Sequence, residues 1–289
     1  MVTKKKKIDH LAKAFRHAVY ETSQDLSDFL RNSATAHSGC YFQYTTIDAL
    51  KGMCKSNSLF LTQAKNLNDS NEMKAQEEDK ARTYVASFSA LRSESIAMWA
   101  LYSTPAKKGI RIKFPTRMIK KLLSIARGED KLFHVCNALD ILKQRTLKNR
   151  LEVEEAYLTD VVYRGNNALT WRNKCVVGKS DLNQKINDDV LFAQVKDDLW
   201  RYEDEVRLIV KLKKSLGNYP KRIAIPVKSI LRGMKIDFGP CFDETTEQAF
   251  IDEVKVTNRV EFKESVCTGK VRFSKTSPCE GCKRCTVRE

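Results

Sequence analysis

No apolar run in this chain approaches the ~20 residues a helix needs to cross a bilayer, so a helical membrane span is excluded. Met1 to His10 carries four consecutive lysines with no signal-peptide apolar region after them, and a protein that stays in the cytoplasm where it is made is expected. Glycine and proline are scarce, 11 and 6 of 289 residues, which argues against extensive disorder. G-x-G-x-x-G, phosphate-loop and H-E-x-x-H patterns are missing, and with them the case for a Rossmann dehydrogenase or a zinc protease. His10, His17, His37 and His134 form no triad-like arrangement and receive no chemistry.

Acid is in deficit. Lys plus Arg is 52 against 36 for Asp plus Glu, a formal charge of +16, and such an imbalance attracts polyanions because each phosphate neutralised releases condensed counterions. RNA, DNA or an anionic membrane surface is therefore the expected large partner, a nucleic acid first, with simple solubility as the alternative. Nine cysteines, an odd number scattered through the chain, fit a reducing compartment better than a disulfide framework. The length and the 42% hydrophobic content allow one sizeable core.

Ile8, Leu11, Phe15, Val19, Leu26, Phe29 and Leu30 recur at helical spacing up to Arg31, and the polar stretch Asn32 to Gly39 reads as a linker. Strands are expected around Tyr41 to Tyr44, Ser58 to Thr62, Tyr84 to Ser89, Gly109 to Phe114, Val161 to Tyr163, Val206 to Leu212 and Arg222 to Pro226. Helices are expected after a Thr46 cap, at Glu72 to Lys80, at Ile96 to Tyr102, through most of Thr116 to Tyr157, and at Asn183 to Lys196. Short strands with irregularly inserted helices predict an α+β fold, divided into a helix and linker (1–38), a main domain (39–240) and a basic cysteine-rich extension (241–289).

Lys107, Lys108, Arg111, Lys113, Arg117, Lys120 and Lys121 lie in a stretch without acid, which would suit a nucleic-acid track or equally the solvated face of a helix and strand edge. Cys267, Cys279, Cys282 and Cys285 offer four thiolates that could hold zinc, although two separated Cys-x-x-Cys knuckles are lacking; an exposed reduced tail is the alternative.

The segment Trp200-Arg201-Tyr202-Glu203-Asp204-Glu205-Val206-Arg207 sets three acids and two arginines at the entrance to an apolar strand. On a strand Glu203 and Glu205 would share a face and address one ligand; an ion-paired strand end, with Arg207 satisfying a glutamate, is the plainer alternative. Tyr41-Phe42-Gln43-Tyr44-Thr45-Thr46, Ser87-Phe88-Ser89 and Met98-Trp99-Ala100-Leu101-Tyr102 pair aromatics with hydroxyls, a combination more often core than ligand platform.

Taken in order, these segments resemble the bacterial domain of unknown function family twenty-nine seventy-one, from Tyr41 to about Gly239. The resemblance rests on the Tyr44 strand, Asn68-Asp69 before Glu72, Ser87-Phe88-Ser89, Met98-Trp99 with Tyr102 and Gly109, Tyr163, Trp200-x-Tyr202-Glu203-x-Glu205-x-Arg207-Leu208, and Ile230 with Gly233. Ser70 stands where proline is common in the family, and Ala100-Leu101 replaces a polar pair. That family in turn is similar to ADP-ribosyltransferase toxins that modify nucleic acids. The second resemblance implies a split mixed sheet cradling NAD as substrate, with Tyr44, Ser87 or Ser89, and Glu205 in its three motif places.

In that assignment Glu205 would orient the ribose and stabilise positive charge developing as the nicotinamide bond breaks, with Ser87 or Ser89 holding the glutamate or the ribose. Glu203 would align or deprotonate the acceptor. Tyr44 and Trp99 or Tyr102 would wall the nicotinamide, Thr45 is grouped with them as cofactor-binding, and Arg207 would bind the pyrophosphate unless it forms an internal salt bridge. By the same resemblance, a role in phage defence with an antitoxin partner is implied. Two other functions compete: a non-catalytic nucleic-acid-binding effector, and a metal-dependent nuclease using Asp69, Glu203 and Glu205.

Overall fold

Alternation of side chains along the strands decides how this chain is layered. The computed structural model describes residues 22–37, 39–67, 76–143, 150–165, 169–172, 175–177, 187, 189–214 and 218–271. Its first half contains helix α1 (Ser23–Ala36), strand β1 (Cys40–Thr46), α2 (Ile47–Ser56), β2 (Ser58–Gln63), α3 (Glu77–Arg82), β3 (Thr83–Ser89), α4 (Ile96–Tyr102), β4 (Gly109–Pro115), α5 (Thr116–Ala126), β5 (Cys136–Asn137) and α6 (Ala138–Leu142). There follow β6 (Val153–Asp160), β7 (Val162–Arg164), β8 (Leu169–Trp171), β9 (Cys175–Val177), β10 (Val195–Asp197), β11 (Glu205–Leu212), β12 (Arg222–Pro226), β13 (Lys235–Phe238), α7 (Gln248–Asn258) and β14 (Glu261–Lys263). The fold is α+β, with a ten-stranded mixed sheet beside a four-stranded one made of β10, β7, β8 and β9.

One face of the large sheet is apolar throughout. Leu59, Leu61, Tyr84, Ala86, Phe88, Ile110, Ile112, Phe114, Val206, Leu208 and Val210 sit every second residue on their strands and pack with α2 and α5 into one buried cluster. Helix α5 presents Met118, Ile119, Leu122, Leu123 and Ala126 to that cluster at helical spacing. Helix α2 starts where Thr46 accepts a hydrogen bond from the Ala49 amide, and stops where Asn57 takes a left-handed φ of 47°. Each fully buried leucine or isoleucine on this face contributes roughly 1.5–3 kcal/mol.

The opposite face is formed by the intervening residues, and there the ladder opens. Strand β3 is paired along one edge with β11, from Glu205 opposite Ser89 to Lys211 opposite Thr83. Its other edge is shared by two strands: β1 pairs it at Phe42 with Ser89, and β2 at Thr62 with Val85 and Gln63 with Tyr84. Ala86, Ser87 and Phe88 fall between, so the sheet divides there into a β14-β13-β4-β1 half and a β2-β12-β5 half.

Four expectations from sequence change. Helix α1 runs on to Ala36, through most of the segment read as a linker, because Ser33 and Ala34 are buried against the body of the protein. Among the described residues of Thr116 to Tyr157, the α-helices are α5 and α6; the region's end is strand β6, whose Ala156 and Leu158 face the apolar cluster. The described part of Asn183 to Lys196 is turn, with φ of +63° at Ala193, ending in strand β10. The third helix begins at Glu77, and Glu72 lies outside the described residues.

Helix α1 is tied down by polar contacts that only burial can enforce. Ser27 donates to Gln194 Oε1 at 2.8 Å, and Ser33 donates to Asp160 Oδ2 at 2.7 Å. Asp160 is 1% exposed and also accepts from Trp171 Nε1 at 2.9 Å and Arg172 Nη2 at 2.6 Å. Removing this carboxylate strands a guanidinium and two further donors. Asp160→Ala is accordingly expected to lower unfolding stability by about 3–5 kcal/mol, measured by urea denaturation; a change within experimental error would show that the cluster holds nothing.

Candidate functional site

A cavity of about 280 Å³ lies over the split. Its walls are the non-core face of the strands: Phe42 and Tyr44 from β1, Phe60 and Thr62 from β2, Ser87 and Ser89 from β3, and Glu205 and Arg207 from β11. The alternation that buries Ala86, Phe88, Val206 and Leu208 on one side thus delivers hydroxyls and charges to the other. Tyr102, Lys196, Trp200 and Glu203 complete the chemistry-bearing wall.

Glu205 begins β11 and is 6% exposed. Arg207, two residues on and therefore on the same face, grips it with both prongs: Nε donates to Oε1 at 2.8 Å and Nη2 to Oε2 at 2.7 Å. Arg207 Nη1 donates to the Ala193 carbonyl at 2.9 Å. The Glu205 amide donates to the Tyr163 hydroxyl at 2.8 Å. Of the two readings given to Arg207, the internal salt bridge is the one formed, leaving no open fork for a pyrophosphate.

Glu203 reaches the cavity by a different route from the one expected. It closes a 3-10 turn (Asp198–Glu203), and Asp204 follows in the left-handed region at φ 44°, so Glu203 is not on the strand. The two carboxylates still converge. Tyr102 donates from its hydroxyl to Glu203 Oε1, and Lys196 Nζ lies 2.7 Å from Glu203 Oε2 and 3.5 Å from Glu205 Oε2. Ser89 donates to the Glu203 carbonyl at 2.6 Å, which makes it a brace for the turn. Ser87 lies close enough to the Glu205 carboxylate to favour its charge.

Burial pushes the Glu205 carboxyl up from 4.5 to about 7; Lys196 opposes this, the Glu203 charge adds to it, and Ser87 opposes it. For Lys196 burial disfavours the ammonium, and the two glutamates outweigh that and raise its value. Tyr102 is held protonated, first by burial and then by the charge of Glu203.

Tyr44 lines the cavity, with its hydroxyl accepting from the Ser95 amide at 3.0 Å and from Arg111 Nη1 at 3.5 Å. Trp99 does not wall the cavity as expected: at 1% exposure it packs edge-on behind Tyr44, ring centres 4.8 Å apart, and donates to Glu94 at 3.1 Å. Thr45, on the other side of the β1 pleat from Tyr44, is not among the lining residues. Tyr102 does line it, with its hydroxyl committed to Glu203.

The basic stretch is not one track. Arg111 is 4% exposed and donates from Nε and Nη2 to Asp237 at 2.9 and 2.6 Å, stacking over the Phe42 ring at 4.7 Å. Lys113 pairs with Asp237 at 2.8 Å and Lys108 with Asp48 at 2.9 Å, while Lys121 pairs with Asp130. Asp48 and Asp237 arrive from distant segments, and Asp130 lies just past the acid-free stretch. Lys107, Arg117 and Lys120 are exposed. Asp69, Cys279, Cys282 and Cys285 lie outside the described residues, and Cys267 is a partly buried free thiol.

Lys196, Phe60 and Thr62 are cavity residues that sequence reasoning missed. Lys196 stood inside a segment read as helix, and its distance of four residues from Trp200 was the one available signal.

Comparison with known proteins adds one match. The family model described as a protein of unknown function, DUF2971, covers residues 98–208, a span that includes Tyr102, Lys196, Glu203, Glu205 and Arg207 but neither Tyr44 nor the β3 serines. No curated protein and no solved structure matches the chain.

The raised Glu205 value carries a sign for stability. An acid whose folded value exceeds its unfolded value favours the folded chain fully below the unfolded value and loses that contribution as pH rises through the folded one. Stability is expected to decline from Glu205 between pH 4.5 and about 7, and Glu205→Gln should flatten that segment of a urea-midpoint profile. An identical slope in the variant would assign the effect elsewhere.

Proposed function

We propose, for a chain that carries a DUF2971 domain over residues 98–208, that the cavity binds NAD and transfers its ADP-ribose to a nucleic acid. What carries the proposal is the convergence of Tyr44, Ser87 and Glu205, from three separate strands, on one cavity at the split of the sheet. These are the residue types and chain order of the ADP-ribosyltransferase pattern. The cavity matches the nicotinamide–ribose half of NAD in character: aromatic walls from Phe42, Tyr44 and Phe60, and a carboxylate pair at the sugar.

In this mechanism the bond from ribose C1′ to the nicotinamide nitrogen breaks and its electron pair leaves with nicotinamide. Glu205 accepts a hydrogen bond from a ribose hydroxyl and stabilises the positive charge on the sugar ring. Glu203 then takes the proton from the acceptor as its oxygen or nitrogen bonds to C1′. Lys196 and Arg207 are both bound to carboxylates, so the pyrophosphate has to be met outside the cavity. The formal charge of +16 supports a polyanionic acceptor, RNA favoured, with Lys107, Arg117 and Lys120 as exposed cations available to it. A toxin role in phage defence, held in check by an antitoxin, accords with the same resemblance.

Incubating the full chain with NAD labelled in its adenylate half, together with total RNA, DNA or protein, tests this directly. Label is expected in nucleic acid, and Glu205→Gln should reduce it by about 100-fold or more while far-UV circular dichroism stays unchanged. Label transfer that persists undiminished in the variant would remove Glu205 from the mechanism. A protein that ignores NAD yet binds RNA, with binding lost on Lys107→Glu and Lys120→Glu, would be the non-catalytic effector instead.

A further inference from the structure

Lys196 is the cavity residue whose placement local sequence did not announce. It is fixed from three sides. Strand β10 pairs in parallel with β7, Lys196 opposite Tyr163, and this register sets the lysine beside the tyrosine whose hydroxyl accepts from the Glu205 amide. Its ammonium lies 4.6 Å from the centre of the Trp200 ring, and the side chain is 7% exposed. Its charge falls between two carboxylates, 2.7 Å from one and 3.5 Å from the other.

Resting on the assignment of Glu203 and Glu205 to the transfer, we propose that Lys196 is the positioning residue of the site, one ammonium that bridges both glutamates and fixes the spacing at which ribose and acceptor meet them. No other cation among the described lining residues spans the two. Arg207 directs its fork at Glu205 and its remaining prong at the Ala193 carbonyl. Tyr102 gives Glu203 a proton donor but no charge. Without Lys196, Glu203 keeps a hydrogen bond and loses its counter-ion in a buried position, so its orientation is released.

The titration that reports this is shared by several groups: Lys196 on β10, Glu203 on the 3-10 turn with Tyr202 and Asp204 beside it, Arg207 on β11, Tyr102 on α4 and Tyr163 on β7. Lys196 and Glu203 act on Glu205 with opposite signs. Their variants therefore move it in opposite directions, which a merely structural lysine would not produce.

The test uses the full chain with glutamate carboxyls labelled with carbon-13, assigned through Glu203→Gln and Glu205→Gln and titrated by NMR. Loss of an opposite charge at this range moves a carboxyl by roughly 1–3 pH units, so Lys196→Met is expected to shift the Glu205 titration up by that amount and Glu203→Gln to shift it down. Lys196→Arg should hold it near the wild-type position. Transfer from NAD at pH 7 should fall at least about fivefold in the Met variant, because a carboxyl moved up by one unit from about 7 is about a tenth rather than half ionised at that pH, and recover in the Arg variant. A Glu205 titration unmoved by Lys196→Met overturns the proposal. Should the Met variant fail to fold, Lys196→Met with Glu203→Gln, which leaves no uncompensated glutamate at 203, is compared with Glu203→Gln alone; equal titrations overturn the proposal and an upward shift supports it. Absence of NAD turnover in the wild type would end the transferase assignment, while the titration would still decide whether Lys196 governs the pair.

Discussion

Two carboxylates in one buried cavity repel each other, and the rest of the site follows from how that repulsion is met. Glu205 and Glu203 are 6% and 3% exposed, so water cannot do it. The protein uses two cations in two geometries: a guanidinium fork, Arg207, locked to Glu205, and a point charge, Lys196, shared between the pair. The fork sits two residues along the same strand, where the pleat presents it without further folding information. The point charge has to be imported from β10, so the small second sheet is needed to complete a site whose carboxylates the large sheet and its preceding turn supply.

The opening that makes room for a ligand has an equally local cause. Strand β3 has one continuous partner, β11, and two partial ones that each take an end of its other edge. Because β1 and β2 diverge around Ser87, the sheet gains a cleft without losing its main core, which lies on the other face. A strand edge that would be a liability on a surface is here turned inward and lined with aromatic and hydroxyl side chains.

Much of this was legible in advance. The period-two runs at Tyr84 to Ser89 and Val206 to Leu212 located both central strands, and motif order drew Tyr44, Ser87 or Ser89, and Glu205 together. Local patterns failed where long-range pairing ruled. Val153 to Tyr157 fell in a stretch read as mostly helical, and the neighbour in space of the strand it opens, β11, lies some fifty residues on. Arg111 looked like a surface cation because its partner, Asp237, comes from another strand of the sheet. Trp99 carried a motif signal yet supports Tyr44 from behind; a family pattern does not distinguish a wall from its backing.

The last described strand has a consequence for anyone handling this protein. Strand β14 lies against β13 at the rim of the large sheet, and just beyond it Ser265 and the Val266 amide donate to Glu94, the acid that also receives Trp99. A chain shortened ahead of Glu261 would leave the β13 flank bare and sticky, and would slacken the bolt behind the aromatic panel of the ligand chamber. Affinity tags and fusion partners attached past this point therefore hang from a hinge-post of the site.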